Sequence, residues 1–151
     1  MARVDNYEQR FGGIGRLYGT EALARLRQAH ICVIGIGGVG SWAVEALARS
    51  GVGKITMIDM DDICVTNINR QIHALTGNIG QLKTEVMQQR VKLINPECDV
   101  NVIDDFISAE NLSQYLRAEY DYVIDAIDNV KTKAALIPYR KRHKIKMLTV
   151  G

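Results

Sequence analysis

The sequence predicts an α/β protein built on a doubly wound, mainly parallel sheet with helices on both faces. Three observations predict it. Short apolar stretches of strand length alternate with helical stretches, the order that parallel βαβ units produce. The first apolar stretch, "HICVIG", runs into the glycine-rich "GIGGVG" of residues 35–40 and then into the helical "SWAVEALARSG". A strand, a glycine turn and a helix in that order commonly open such a sheet. The chain has 151 residues, 47% hydrophobic and 24% charged, which suits one domain with a buried core.

Taken in order, "TEALARLRQA" reads as a short helix capped by Thr20, with Leu23 and Leu26 on one face. "HICVIG" is a buried strand, with Cys32 in the core. The next helix spans about residues 38–50. Its apolar face is Val39, Trp42, Ala43, Ala46 and Leu47, and Gly51 and Gly53 end it. "KITMID" is the second strand. The polar connection "MDDICVTNINRQIHALTGNIG" is long for a strand-to-helix link, and long loops in compact domains are often functional. "QLKTEVMQQRVKLI" is a helix with Leu82, Val86, Val91 and Leu93 near one face, stopped at Asn95-Pro96. "CDVNVID" alternates as a strand, and "SAENLSQYLRA" is a short helix capped by Ser108. "DYVIDAID" is a central strand. "NVKTKAALIPYRKRH" is helical, with a kink or break expected at Pro138, and "KIKMLTV" is a last strand. Residues 1–29 thus form an N-terminal helical segment and residues 30–151 the sheet domain. A parallel sheet normally continues after such a strand, so the chain is expected to be the N-terminal portion of a longer protein.

Composition narrows the class. No apolar run approaches the ~20 residues that a membrane helix needs. The opening "MARVDNYEQRFGG" has no apolar signal-peptide core, so a cytoplasmic protein without membrane contact is expected. Cys32, Cys64 and Cys98 lie far apart with no C-x-x-C pair, which fits reduced thiols and argues against a local zinc site. From Lys131 onward there are seven Lys or Arg and no Asp or Glu, a basic stretch of the kind that meets nucleic acid or simply forms a solvated helix face.

The chemistry starts at the glycines. Gly35, Gly37 and Gly40 satisfy G-x-G-x-x-G in the strand–turn–helix setting that gives the motif meaning. The helix N-terminus that follows offers free N–H groups to phosphate. Asp59 ends the second strand, nineteen residues beyond Gly40, about the spacing of an acid that bonds a ribose hydroxyl. To this point NAD and ATP fit equally well. The next segment separates them. "NINRQ" clusters Asn67, Asn69, Arg70 and Gln71, and Lys83 follows in the first turn of the next helix. Two cations beside the phosphates suit a triphosphate about to lose pyrophosphate, whereas a dinucleotide cradled by backbone amides does not need them. In "DAIDN", Asp125 reads as structural within its strand. Asp128, past the strand's end, is the candidate for Mg²⁺.

These segments together resemble a known family. "GIGGVGSWAVEALARSGVG", "DMDDICVTNINRQ", "GQLKTE", "LINP" and "DAIDN" are similar to the adenylation domain of ubiquitin-activating-type enzymes, over nearly the whole chain. That superfamily includes the adenylyltransferases of molybdopterin-synthase and thiamine-pathway sulfur carriers. "RFGGIGRLYG", "TNINRQIHAL" and "GNIGQLKTE" resemble most the branch that acts on tRNA, using ATP to cyclise a modified adenosine beside the anticodon. The alternative substrate is the C-terminal glycine of a ubiquitin-like sulfur carrier.

The resemblance implies roles. Gly35, Gly37, Gly38 and Gly40 would line the phosphates, Gly38 matching a double glycine common in adenylating relatives. Asp59 would bind ribose, and Asn67, Asn69 and Arg70 would contact phosphates. Lys83 would stand on the α-phosphate side, and Asp128 would hold Mg²⁺. Arg10, in "EQRFGG", resembles an arginine that reaches into a partner subunit's nucleotide site, which implies a homodimer. The resemblance also admits a sulfur-relay partner of the cysteine desulfurase system. The zinc-binding C-x-x-C pairs and downstream cysteine of the sulfur-carrier activators are not found in these residues.

Overall fold

The computed structural model describes residues 6–150; residues 1–5 and 151, at the two ends of the chain, lie outside the described residues. Helices α1 (Tyr7–Tyr18) and α2 (Thr20–Gln28) precede β1 (His30–Ile34), α3 (Gly40–Arg49), β2 (Lys54–Ile58), α4 (Lys83–Ile94) and β3 (Asp99–Ile103). Then come α5 (Leu112–Tyr115), β4 (Tyr122–Asp125), α6 (Val130–Arg142) and β5 (Met147–Thr149). The five strands form one sheet in the order β3-β2-β1-β4-β5, with every pairing parallel. Strand order reverses between β1 and β4, and in open α/β sheets ligands bind in the crevice at that point.

Alternation along the strands divides the core. Val33, Ile55 and Met57 face one way and pack with Val44 and Ala48 of α3 and Met87 and Val91 of α4. Cys32, Ile34, Val123 and Met147 face the other way and pack with Leu112 of α5 and Leu136 of α6. Helices therefore cover both faces, as the sequence predicts. Burial pushes the Cys32 and Cys98 thiols up to about 12 and about 11, so both are inert core groups. Tyr7, Phe11 and Leu23 form a separate small cluster that joins α1 to α2, and the Tyr7 hydroxyl donates to the carbonyl of Gly51 at the end of α3.

Several expectations are corrected. Gly19, with φ 97°, occupies the cap of α2, and Thr20 is its first helical residue. The buried side of α3 is Gly40, Ser41, Val44, Glu45 and Ala48, while Trp42 is 52% exposed. The reason is that its polar residues have partners inside. Glu45 accepts from Arg49 at 2.8 Å and from Arg90 of α4 at 2.5 and 3.0 Å. On α4, Leu93 is 81% exposed and Met87 takes the core position instead. α5 is one turn, capped at Asn111, whose side-chain oxygen accepts the Ser108 N–H at 2.8 Å. α6 runs unbroken through Pro138, started by Asn129, whose Oδ1 accepts the Thr132 N–H at 3.1 Å.

Glu45 joins α3 to α4 through charge. Burial raises its carboxyl, but the hydrogen bonds from Arg90 and Arg49 outweigh burial and hold it below the usual range. A depressed acid adds stability above its unfolded pKa of about 4.3 and loses it as pH falls through the folded value. Glu45→Gln is expected to cost about 1–2 kcal/mol at neutral pH. Urea unfolding from neutral pH to below about 4 should show a shallower fall in the variant than in the wild-type protein.

Candidate active site

Parallel register sets the site. Ile34 pairs with Ile58 on one side and with Asp125 on the other, so the carboxyl ends of β1, β2 and β4 lie level. The loops leaving these ends surround a cavity of about 670 Å³. Its floor is the glycine turn. Gly35 has φ 86°, and a Cβ there would stand 2.9 Å from the Ala126 carbonyl. A Cβ on Gly40 would stand 1.6 Å from the Gly35 carbonyl oxygen, so only glycine lets α3 begin this close to β1. Gly37 and Gly38 line the cavity, whereas Gly40 does its work in packing beneath it.

Asp59 lies 7% exposed at the end of β2. Its Oδ2 accepts the Ile36 N–H at 2.7 Å and its Oδ1 the Asp61 N–H at 2.8 Å. Each carboxylate oxygen retains a lone pair for a ligand hydroxyl. The other side of Ile36 is held by His73. Its Nε2–H donates to the Ile36 carbonyl at 2.8 Å, and burial lowers its pKa below the ordinary imidazole value.

The loop after β2 brings Asn67, Arg70 and Gln71 to the cavity wall. A short turn, Val65–Asn67, starts it, with the Asn67 Oδ1 accepting the Cys64 N–H at 2.8 Å. Cys64 itself is exposed. The stem of Arg70 lies over Gly38, where an added Cβ would be 3.6 Å from Arg70 Cγ and Cδ. Arg70 Nη1 donates to the Thr66 carbonyl and to Asn69 Oδ1, both at 3.0 Å. Asn69 thus lies outside the cavity lining and orients Arg70. Lys83 begins α4 with its side chain 9% exposed and its Nζ 3.6 Å from Asp61 Oδ2. A cation at a helix N-terminus opposes the helix dipole, so this one calls for an anionic partner.

Across the crevice, Asp105, Phe106 and Ile107 come from the end of β3, and Asp128, Asn129 and Thr132 from the end of β4 and the start of α6. Asp125 is fully buried and accepts from Lys133 Nζ at 3.0 Å, which makes it structural. Asp128 is exposed on the cavity and makes no ion pair among the described residues. No group of three or more His, Cys, Asp or Glu among the described residues could enclose a metal alone. Mg²⁺ commonly takes one or two protein carboxylates plus substrate phosphates, and Asp128 fits that mode. Arg10 lines a different cavity, with Phe11, Arg49, Arg90, Leu93 and Ile94, and donates to the Ile94 carbonyl at 3.1 Å. Nothing in the spacing of Asp61, Asp105, Phe106 and Thr132 marks them in the sequence; the folded loops alone bring them to the cavity.

A glycine-floored crevice at a strand-order reversal, walled by two cations and acids from β2 and β4, is the arrangement of a nucleotide-binding α/β domain. The ThiF family model matches residues 13–151, and the chain belongs to that family. It is 78% identical over 151 residues to the tRNA threonylcarbamoyladenosine dehydratase of Haemophilus influenzae, covering 100% of this chain and 58% of that protein. It is 62% identical over 147 residues to the dehydratase of the same name from Escherichia coli, covering 97% of this chain and 55% of that one. The crystal structure of the Escherichia coli enzyme in complex with ATP superposes with a TM-score of 0.96 at 60% identity, over 100% of this chain and 62% of that one. The chain spans a little over half the length of these relatives. No helix among the described residues is long and apolar enough to cross a membrane.

Arg70 and Lys83 both line the cavity, where they would give a bound phosphate charge-assisted contacts. Arg70→Ala and Lys83→Met are each expected to weaken ATP binding by about tenfold or more in calorimetry. Asn69→Ala should have a smaller effect, because it frees Arg70 without removing it.

Proposed function

We propose that the chain is the nucleotide-binding part of a cytoplasmic, ATP-dependent enzyme that dehydrates threonylcarbamoyladenosine in tRNA to its cyclic form beside the anticodon. The observation that carries this reading is the convergence of Arg70 and Lys83 on a glycine-floored cavity, in a chain so similar to the dehydratases throughout its length. The threonyl carboxylate attacks the α-phosphorus of ATP, and the bond to pyrophosphate breaks. A nearby nitrogen or oxygen of the same group then attacks the activated carboxyl carbon and AMP leaves. The substrate has lost one water, whose oxygen departs on AMP.

The chain's residues position and stabilise. The glycine turn presents backbone N–H groups to the phosphates at the start of α3. Arg70 and Lys83 offset the charge that grows on the phosphate oxygens, in a recess where such charge is poorly screened. Asp59, already aligned by two backbone N–H groups, receives a ribose hydroxyl. Asp128 would hold Mg²⁺, which when bound would supply further charge neutralisation on the phosphates. Asn67 donates from the wall that Arg70 shares.

The same reading includes a homodimer, in which Arg10 reaches the partner's nucleotide site. Its place outside this chain's own nucleotide cavity, beside the 81% exposed Leu93, supports that assignment. The basic stretch from Lys131 to Lys146 serves as a surface for tRNA phosphates, and a sulfur-relay protein is a further partner. Pyrophosphate release by the full-length protein is expected with tRNA carrying threonylcarbamoyladenosine. The same tRNA without the threonyl carboxylate should give none; equal release from both overturns the reading.

A further inference from the structure

We propose that the far end of α6 docks the paired RNA stem that continues from the reacting loop; the inference rests on the tRNA reading above and narrows its basic surface to four side chains. The structure divides the seven cations of the stretch from Lys131 onward. Lys133 is held inside the fold, its Nζ donating to Asp125 Oδ2 at 3.0 Å and to the Val150 carbonyl at 2.8 Å. Arg140 Nη1 donates to the Met147 carbonyl at 2.8 Å. Lys131 stands in the first turn of α6. Lys141, Arg142, Lys144 and Lys146 remain, all exposed and none in an ion pair among the described residues. Asn129 and Thr132, at the start of α6, line the nucleotide cavity. The 13 residues of α6 then carry the chain about 20 Å away from it. The turn that follows meets the amino end of β4, where the Val123 N–H donates to the Lys146 carbonyl at 2.9 Å. In a parallel sheet that end lies opposite the cavity. The exposed residues of α6 between the two ends, Ala134, Ile137 and Pro138, carry no charge, so no acid of this helix opposes a polyanion lying along it.

The turn that bears the four cations is well braced. His143 stacks on Tyr139, with ring centroids 4.1 Å apart and planes 29° apart, and the Ile145 N–H donates back to the Arg140 carbonyl at 2.9 Å. Lys144 has φ 53°, the left-handed conformation in which helices commonly end on glycine. A lysine there gives up glycine's ease for a positive charge at the tip. Closely spaced cations on a fixed backbone suit the repeating charge of a nucleic acid, and contacts to its phosphates position it without reading sequence. Paired RNA in particular is recognised by its shape and backbone. An acidic protein partner would be anchored by apolar or aromatic side chains at the centre of the contact. Between Tyr139 and Met147 no large apolar side chain is exposed. The reacting base belongs at the cavity, so the RNA that reaches this turn is the stem and not the loop.

The test uses the full-length protein, a variant with Lys141→Gln, Arg142→Gln, Lys144→Gln and Lys146→Gln together, and Lys144→Gly alone. Binding to tRNA carrying threonylcarbamoyladenosine, and to an oligonucleotide of its anticodon loop without the stem, is measured over a range of salt. Calorimetry with ATP and thermal unfolding accompany it. The fourfold variant is expected to bind the tRNA about tenfold or more weakly at low salt, with the slope of log affinity against log salt shallower by about 2 to 4. Lys144→Gly should lower that slope by about 1 without lowering the unfolding midpoint, because glycine suits the turn. Affinity for ATP and for the loop oligonucleotide should match the wild-type protein, since neither reaches the far end of α6. Equal tRNA affinity and salt slope in wild type and the fourfold variant overturn the inference, as does an equal loss for the loop oligonucleotide. A variant that keeps its tRNA affinity but loses binding to polyglutamate overturns it in favour of an acidic protein. A wild-type protein that binds the tRNA yet releases no pyrophosphate overturns the dehydratase reading instead.

Discussion

The site depends on how closely helix α3 can approach the end of β1. At Gly40 the backbone comes so near the Gly35 carbonyl that no side chain fits. That contact sets the first turn of α3 directly against the glycine turn, where the Ser41 N–H donates to the Gly37 carbonyl at 3.0 Å. It also brings two side chains to where they hold the loops. The Ser41 hydroxyl donates to the Gly37 carbonyl and accepts the Ile72 N–H at 3.4 Å. The Trp42 indole N–H donates to the Arg70 carbonyl at 2.9 Å. The glycine turn and the loop bearing Arg70 are therefore tied to one helix, and neither can shift without the other.

Charge is distributed around this frame in pairs. Lys83 stands at the positive end of α4, relieved in part by Asp61 at 3.6 Å. Arg70 is restrained by Thr66 and Asn69, whose oxygens leave it a full positive charge. On the far side of α3, Glu45 pairs with Arg49 of its own helix and with Arg90 of α4, which ties the two helices together. The recess itself carries two cations, Arg70 and Lys83, and four carboxylates, Asp59, Asp61, Asp105 and Asp128.

Much of this is legible in the sequence, and what is not shares a cause. The alternation of strand and helix, the glycine turn, and the cations of "NINRQ" and Lys83 are local patterns, and the structure brings Gly35, Gly37, Gly38, Asp59, Asn67, Arg70, Lys83 and Asp128 to one cavity. Periodicity points to the wrong face of α3 because it counts apolar residues. Here Ser41 and Glu45 are buried on account of partners 31 and 45 residues away. The same blindness hides the part played by Asn69, which orients a neighbour, and the burial of Gln71, whose orphaned oxygen shows only once the loop is folded. Resemblance alone ties Arg10 to the site, and its guanidinium lies on a separate cavity. Polar burial is a long-range property, and no short window of sequence contains it.

The distinction between a dinucleotide and a triphosphate also gains a physical basis beyond the count of cations. Both oxygens of Asp59 are engaged by backbone N–H groups, one of them from Ile36 inside the glycine turn. The carboxylate that would take the ribose and the loop that would take the phosphates are therefore a single rigid unit, and His73 closes it from the other side through the Ile36 carbonyl. Binding the sugar sets the distance to the phosphate floor, and that floor is bordered by Arg70 and Lys83. A rigid acceptor and a rigid floor cost little ordering on binding. What remains variable is the charge on the far wall, where Asp128 stands exposed across the crevice from the cations. Opposed acid and base walls over a fixed floor favour a ligand that carries its own counter-ion, as a metal-bound triphosphate does, over the diphosphate bridge of a dinucleotide that backbone amides alone can hold.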